Sequence, residues 1–418
     1  MARVSCRSRR GSDVLSSSFD PHRLGRGCCR VARAATTRPG SSSGDVGGRY
    51  HREIAQCTAP IYGHRSEGHQ IGPGSALPGG TSHPSGDRPF EPMNQGTDPE
   101  ELPAEVLDDV ASVVGAEVTL LSRLPGGFHV GAMRVQLAGR ANAVLKAVPR
   151  AHPNQLDATL RAQRVVEHMR GRGYPTPAWL GVGATATHVW HLMDFVDAAP
   201  VPGISPGGVL SMPELTTSLV EQLMEIIELQ AGQASEPHDH WSYAWRVATG
   251  QETATDGNSE AEDWVNSVNK FARAAVAGPW RHSSVVSALV ERLRLVCADV
   301  PPPREAPDMV HADLTPANVL VRDGAVVAVV DILNAGSGTR ATDLTTLQWY
   351  TFQDPLDGVR RRLGTRILAL VGWEGAAVLA AAQILAMLEF PIRHGRHDVV
   401  PGVVKRGHRA LDELNALR

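Results

Sequence analysis

The sequence predicts an α+β chain of two lobes, a small sheet-plus-helix lobe followed by a larger, mostly helical one. Three observations predict it. Between about residues 100 and 197, strand-like runs surround a single strong helical pattern. The cluster Pro200-Val201-Pro202-Gly203 then breaks the chain. Beyond it, over 198–418, apolar residues recur at helical spacing, interrupted by one hairpin-like stretch at 309–331.

The chain has 418 residues, enough for two or three domains. Residues 1–95 are rich in Arg, Gly, Ser and Pro, without a sustained apolar period, and are expected to be a disordered extension. A translation start at Met93, just before the body, is the alternative reading of this segment. Up to Pro92 there are 13 Arg, no Lys and 7 acidic residues, a balance of +6; the remainder carries −9. An acidic body attracts cationic small molecules and repels nucleic acid.

Four of the five cysteines lie in the basic extension and only Cys297 in the body, so a disulfide framework is excluded and a cytoplasmic location is expected. Met1–Asp20 is polar and Arg-rich, which is no secretory signal. The apolar stretch Ile367–Leu388 holds Gly372-Trp373-Glu374-Gly375 and Gln383. It is read as two core helices rather than a membrane span.

The elements of the first lobe follow in order. Pro103–Val114 reads as a helix with Val106, Val110, Val113 and Val114 on one side. Strands are expected at Val118–Leu124, Ala132–Leu137 and Ala143–Val148, separated by turns at Pro125-Gly126-Gly127 and Gly139-Arg140. A helix over Leu156–Arg172 stops at Gly173-Tyr174-Pro175, and strands follow at Trp179–Gly183 and Val189–Phe195.

In the second lobe, Pro213–Gln230 is an amphipathic helix and residues 232–260 read as irregular. Helices are expected at Ala261–Ala277 and Ser284–Val296 and again from Arg340 onward.

The chemistry lies in 309–331. An apolar strand end delivers His311 and Asp313; Asn318 follows at the edge of a new β run; a turn at Asp323-Gly324 returns the chain to Asp331. Three polar side chains are thereby gathered at one end of a small sheet. Phosphoryl transfer needs a carboxylate to orient the attacking hydroxyl and a hard cation on the phosphates. Asp313 is the candidate base, with His311 holding the loop. Asn318 and Asp331 are the candidate Mg²⁺ ligands, since Mg²⁺ takes oxygen donors and few protein ligands.

His311-Ala-Asp313-Leu-Thr-Pro-Ala-Asn318, followed by Val-Val-Asp331, resembles the aminoglycoside phosphotransferase and choline kinase group of small-molecule kinases. The resemblance extends to Ala335–Leu344, where Asp343 is expected to be a structural acid near the catalytic loop. It implies a protein-kinase-like fold, ATP and Mg²⁺ as cofactors, and a small-molecule hydroxyl acceptor; the acidic body favours a cationic one, such as an aminoglycoside-type antibiotic. Lys146, ending Ala-Val-Leu-Lys, looks like the lysine on the ATP phosphates, and it is one of only three lysines beside 38 arginines. Gly126 and Gly127 would cover the phosphates with backbone amides. Met193 to Val196 would be the linker whose backbone meets the adenine edge.

Two departures stand out. The family's lysine partner, a Glu on the following helix, is replaced near Ala162-Gln163-Arg164, leaving Gln163 or Glu167 to hold Lys146. Asp331 is followed by Ile332-Leu333, where the family often has an aromatic and an acid. The missing Glu makes a nucleotide-binding pseudokinase, acting as a regulator or scaffold, the alternative. Candidate acceptor-site acids are Asp239, Asp354, Asp357 and Glu389.

Overall fold

The computed structural model describes residues 102–124, 132–203, 212–235, 239–252, 260–277 and 283–418. The first lobe is an antiparallel sheet of five strands. Helix α1 (Ala104–Val114) comes first; Val106 and Val110 are its buried face, and Gly115 ends it at φ 65°. Then come β1 (Val118–Arg123), β2 (Met133–Leu137), β3 (Asn142–Pro149), α2 (Gln155–Gly171), β4 (Trp179–Ala184) and β5 (His188–Asp194). The strand order is β1-β2-β3-β5-β4.

Period-2 alternation gives this sheet two different faces. Ala143, Leu145, Ala147, Trp190 and Leu192 pack with Val106 and Val110 in one core. Val144 and Met193, on the opposite face, join a second core with Val165, Val166 and Met169 of α2, which continues through the helical lobe. Lys146 shares that second face, so the sheet aims its lysine away from α1.

The second lobe begins with the two-residue strand β6 (Ala199–Pro200). Helices α3 (Thr217–Glu228), α4 (His240–Thr249), α5 (Glu260–Ala277) and α6 (Ser283–Cys297) follow. Strands β7 (Asp308–Val310), β8 (Val319–Arg322), β9 (Ala325–Val329) and β10 (Gly336–Gly338) frame the catalytic motif, and α7 (Ala341–Trp349), α8 (Asp357–Arg393) and α9 (Val400–Ala416) close the lobe. The expected hairpin turn is present. Asp323 and Gly324 both have positive φ, 52° and 76°, as a tight two-residue turn requires. Strand β6 pairs with β8, Ala199 with Val321 and Pro200 with Leu320, which ties the seam between the lobes to the hairpin.

One reading is corrected and one holds. Residues 232–260 are not irregular throughout: α4 is a helix capped by Asp239, whose carboxylate accepts from the Ser242 amide at 3.0 Å. It buries Ala244, Trp245, Val247 and Ala248. The apolar stretch 367–388 lies in α8, which breaks at Gly372 (φ 69°, ψ −178°) into two helical segments. By length and composition alone α8 is long and apolar enough to cross a membrane, but most of its apolar window is buried inside the protein.

Candidate active site

The short buried strand β7 delivers the motif. It pairs with β10, and its Asp308 is nearly inaccessible. Asp308 accepts from Arg340 Nη1 at 2.9 Å, from the Arg340 amide at 3.0 Å and from the Gly232 amide at 2.9 Å. This anchor was not legible in the sequence.

His311 and Ala312 open the catalytic loop. Asp343, fully buried on α7, accepts from the amides of His311 (2.8 Å) and Ala312 (3.1 Å) and from Gln230 Nε2 (2.8 Å). The clamp holds Ala312 in the left-handed region at φ 67°, a conformation that a non-glycine residue keeps only under constraint. The His311 ring is fully buried. Its Nδ1 accepts from the Asp313 amide at 3.3 Å, which places the proton on Nε2, 3.0 Å from the Val330 carbonyl. His311 thus bridges the loop to the residue preceding Asp331.

Asn318 completes the cluster. Its Nδ2 donates to the Asp313 backbone oxygen and to Asp313 Oδ2, both at 2.9 Å, and its own carbonyl accepts from Val330 N at 2.9 Å. Asp331 sits at φ 67°, a left-handed position that aspartate tolerates better than most residues. Lys146 Nζ meets Asp331 Oδ1 at 2.7 Å. The structure therefore brings His311, Asp313, Asn318, Asp331 and Lys146 together from both lobes.

The carboxylates differ in their electrostatics. Burial, and then the neighbouring Asp331 charge, push the Asp313 carboxyl up to about 6, against the pulls of His311, the Asn318 hydrogen bond and Lys146. Burial would raise Asp331 as well, but the Lys146 charge and its hydrogen bond outweigh it and hold the carboxyl below its ordinary range. Two carboxylates in one cluster are thereby driven apart in basicity.

The departure at the lysine's partner resolves differently from expectation. Neither Gln163 nor Glu167 holds Lys146: Glu167 is exposed, Gln163 is half-buried, and the ion-pair partner is Asp331. Beside the lysine stands a residue that sequence reasoning missed. His191 faces Lys146 across the β3–β5 pair, is 5 % exposed, and stacks on Trp179 with ring centroids 4.2 Å apart. Burial, then the Lys146 charge, lower it to about 3, so its imidazole is neutral. Only its cross-strand register could have pointed to it.

Met193 lies buried at the end of β5, facing Val144 across the sheet. Val196 is half-buried in the linker, where its carbonyl accepts from Ala198 N at 2.9 Å. A cavity of about 700 Å³ opens beside that linker, lined by Tyr174, Asp194, Phe195, Val196 and Arg322; none of the catalytic cluster lines it. Gly126 and Gly127 lie outside the described residues. Three of the candidate acceptor acids have internal duties. Asp239 caps α4, Asp357 pairs with Arg360 at 2.6 Å, and buried Glu389 accepts from Ser267 at 2.9 Å. Asp354 is exposed.

The donor set fits a hard cation. Asn318 spends its amide protons on Asp313, and among the described residues nothing donates to its Oδ1 or to Asp331 Oδ2, while Asp331 Oδ1 takes Lys146. Two open oxygens suit an ion that keeps much of its own water. Among the described residues no group of three or more His, Cys, Asp and Glu side chains is placed to hold a metal.

A two-lobed protein-kinase-like fold that gathers a lysine, two aspartates and an asparagine is that of a small-molecule kinase with an alcohol group as acceptor. The chain belongs to the phosphotransferase enzyme family, whose model matches residues 121–379. Solved structures similar to it include the aminoglycoside phosphotransferase APH(4)-Ia, at 18% identity and TM-score 0.49 over 74% of this chain and 98% of that one. A putative fructosamine-3-kinase from Thermobifida fusca YX-ER1 is similar at 20% identity and TM-score 0.46, over 73% and 98%. Spectinomycin phosphotransferase APH(9)-Ia, solved with ADP and spectinomycin, is similar at 10% identity and TM-score 0.47, over 73% and 98%. No curated protein matches the chain.

Proposed function

We propose that this phosphotransferase moves the γ-phosphoryl group of ATP to a hydroxyl of a small, net cationic molecule of the aminoglycoside type, with Mg²⁺. The observation that carries the reading is the convergence of Asp313, Asn318, Asp331 and Lys146, in which Asn318 donates to Asp313 and Lys146 meets Asp331. When bound, Mg²⁺ supplies the charge that neutralises the phosphates.

Each residue then has a task. Asp313 accepts the hydroxyl proton and orients the attacking oxygen; its raised basicity suits that role. Asn318 and Asp331 would hold the metal. Lys146 neutralises phosphate charge from the sheet lobe, and neutral His191 keeps a second positive charge away from it. His311 fixes the loop geometry. The linker from Met193 to Val196 meets the adenine edge.

The acceptor's cationic character rests on the acidic body, which carries −9 beyond residue 92. The pseudokinase alternative drew on the missing helix carboxylate, and Lys146 finds a carboxylate in Asp331 instead. The test is mass spectrometry of candidate acceptors incubated with the full-length protein, ATP and Mg²⁺, over aminoglycosides and other alcohols. One acceptor should gain a single phosphate, and Asp313→Ala should abolish the gain. Binding of ATP with Mg²⁺ but transfer to no acceptor would sink the proposal.

A further inference from the structure

The face of the sheet that carries Lys146 holds a second cation, nearer the linker. Strands β2 and β3 pair with Arg134 opposite Val144, and β3 and β5 pair with Val144 opposite Met193. Side chains two residues apart on a strand share a face. Arg134, Val144, Lys146 and Met193 therefore lie on one face. Phe195, two residues past Met193, continues that row into the linker, and its amide donates to the Asn142 carbonyl at 3.2 Å. Arg134 and Phe195 thus flank β3 from opposite sides and meet across it. The guanidinium carbon lies 4.2 Å from the centre of the Phe195 ring.

The guanidinium is held in place without a carboxylate. Arg134 is half-buried and takes part in no ion pair among the described residues. With the Asn142 amide turned so that its oxygen faces Arg134, that oxygen accepts from Nε at 3.0 Å and from Nη2. The amide nitrogen then donates to Gln136 Oε1 at 2.6 Å, and Gln136 Nε2 donates to the Arg140 carbonyl at 2.8 Å. One edge of the plane is tied to Asn142 and one face lies on Phe195. Among the described residues no second ring covers the other face. With an edge already engaged, what the group still offers is a flat face more than a fork of donors.

We propose that the base of the nucleotide stacks on this free face of Arg134, so that Arg134 selects purine over pyrimidine nucleotides by ring area. The proposal rests on, and deepens, the phosphotransferase reading above, which puts the base at the linker and the phosphates at Lys146. Arg134 stands at the linker end of that row and Lys146 two residues beyond Val144, so the two cations divide the nucleotide between them. A guanidinium adds a stacking plane to the attraction of a cation for a ring, which an ammonium cannot do.

The test titrates adenosine, cytidine, ATP and tripolyphosphate, the last two with Mg²⁺, into the full-length protein by calorimetry. The parent should bind adenosine saturably and more tightly than cytidine. Arg134→Ala should weaken adenosine and ATP by the same factor, roughly fivefold or more, and leave tripolyphosphate unchanged. Arg134→Lys keeps the charge without the plane and should not restore adenosine. Melting curves check that both variants fold, and the adenosine–cytidine comparison needs no variant. Five results overturn the proposal: no saturable adenosine binding by the parent, cytidine bound as tightly as adenosine, equal adenosine binding in Arg134→Ala, full recovery in Arg134→Lys, or tripolyphosphate weakened as much as ATP. A turnover arm separates the two readings. If an acceptor is phosphorylated with the same KM for ATP in Arg134→Ala, the phosphotransferase reading stands and the stacking falls. If adenosine binding depends on Arg134 but no acceptor is phosphorylated, the stacking stands and the phosphotransferase reading fails.

Discussion

Lys146 and Asp331, 185 residues apart in sequence, meet at 2.7 Å. Each is partly accessible, at 24% and 33%, so the pair adds little to stability. On the proposed reading its value is in positioning, since it fixes the lysine that would meet the phosphates. Lys146→Met should therefore lower kcat/KM for ATP by about 10²-fold, the scale on which loss of one preorganised charge donor acts. Steady-state kinetics read the loss, and an unchanged melting temperature shows that the fold is intact.

Asp313, raised to about 6, must be ionised to take a proton. The acceptor kcat/KM should be flat above pH 6 and fall tenfold per unit below it. A bound Mg²⁺ would shift this limb downward, never upward. An acid limb above pH 7 in the pH–rate profile would contradict Asp313 as the base.

Asp343 accepts three hydrogen bonds with no exposed surface. Asp343→Ala would leave two backbone amides and one side-chain amide without acceptors. At about 1–3 kcal/mol for each buried unsatisfied donor, the loss should be about 3 kcal/mol or more in urea unfolding. Ala312 would be released from its left-handed conformation, so activity should fall further than stability alone accounts for.

His191 is held near 3 in the folded protein, against 6.5 for the free side chain. As pH falls below 6.5 the unfolded chain takes up a proton that the folded chain refuses. Stability is therefore full above 6.5 and is lost toward pH 3, with a slope approaching about 1.4 kcal/mol per unit. His191→Phe keeps an aromatic ring to stack on Trp179 and removes the titration. Urea midpoints at pH 7, 6 and 5 should fall less steeply in the variant than in the parent.

Legibility followed the distance over which information is encoded. The stretch 311–331 was readable because the loop, the Asp323-Gly324 turn and the alternating strands are local, and each residue type matches its chemistry. The break in α8 was foreshadowed by Gly372. Helix α4 was missed because its cap and its apolar spacing, Trp241, Ala244, Trp245 and Ala248, lie inside a polar stretch that dilutes the pattern. Lys146's partner was sought on α2, the sequence-adjacent helix, whereas a strand side chain is paired by whatever the sheet face meets. His191 did not announce itself, since an imidazole's neutrality is a property of surroundings built from distant segments.

The pairing of β6 with β8 has a mechanical consequence. Ala199 and Pro200 are laced to Leu320 and Val321, and on the other side β5 runs to Asp194 within the sheet. The chain between these anchors, residues 195–198, is too short to let one half slide over the other. A swing about that segment would carry Lys146 with the sheet while Asp331 stayed on the hairpin side. The separation of Lys146 Nζ and Asp331 Oδ1, 2.7 Å here, would then gauge any such swing.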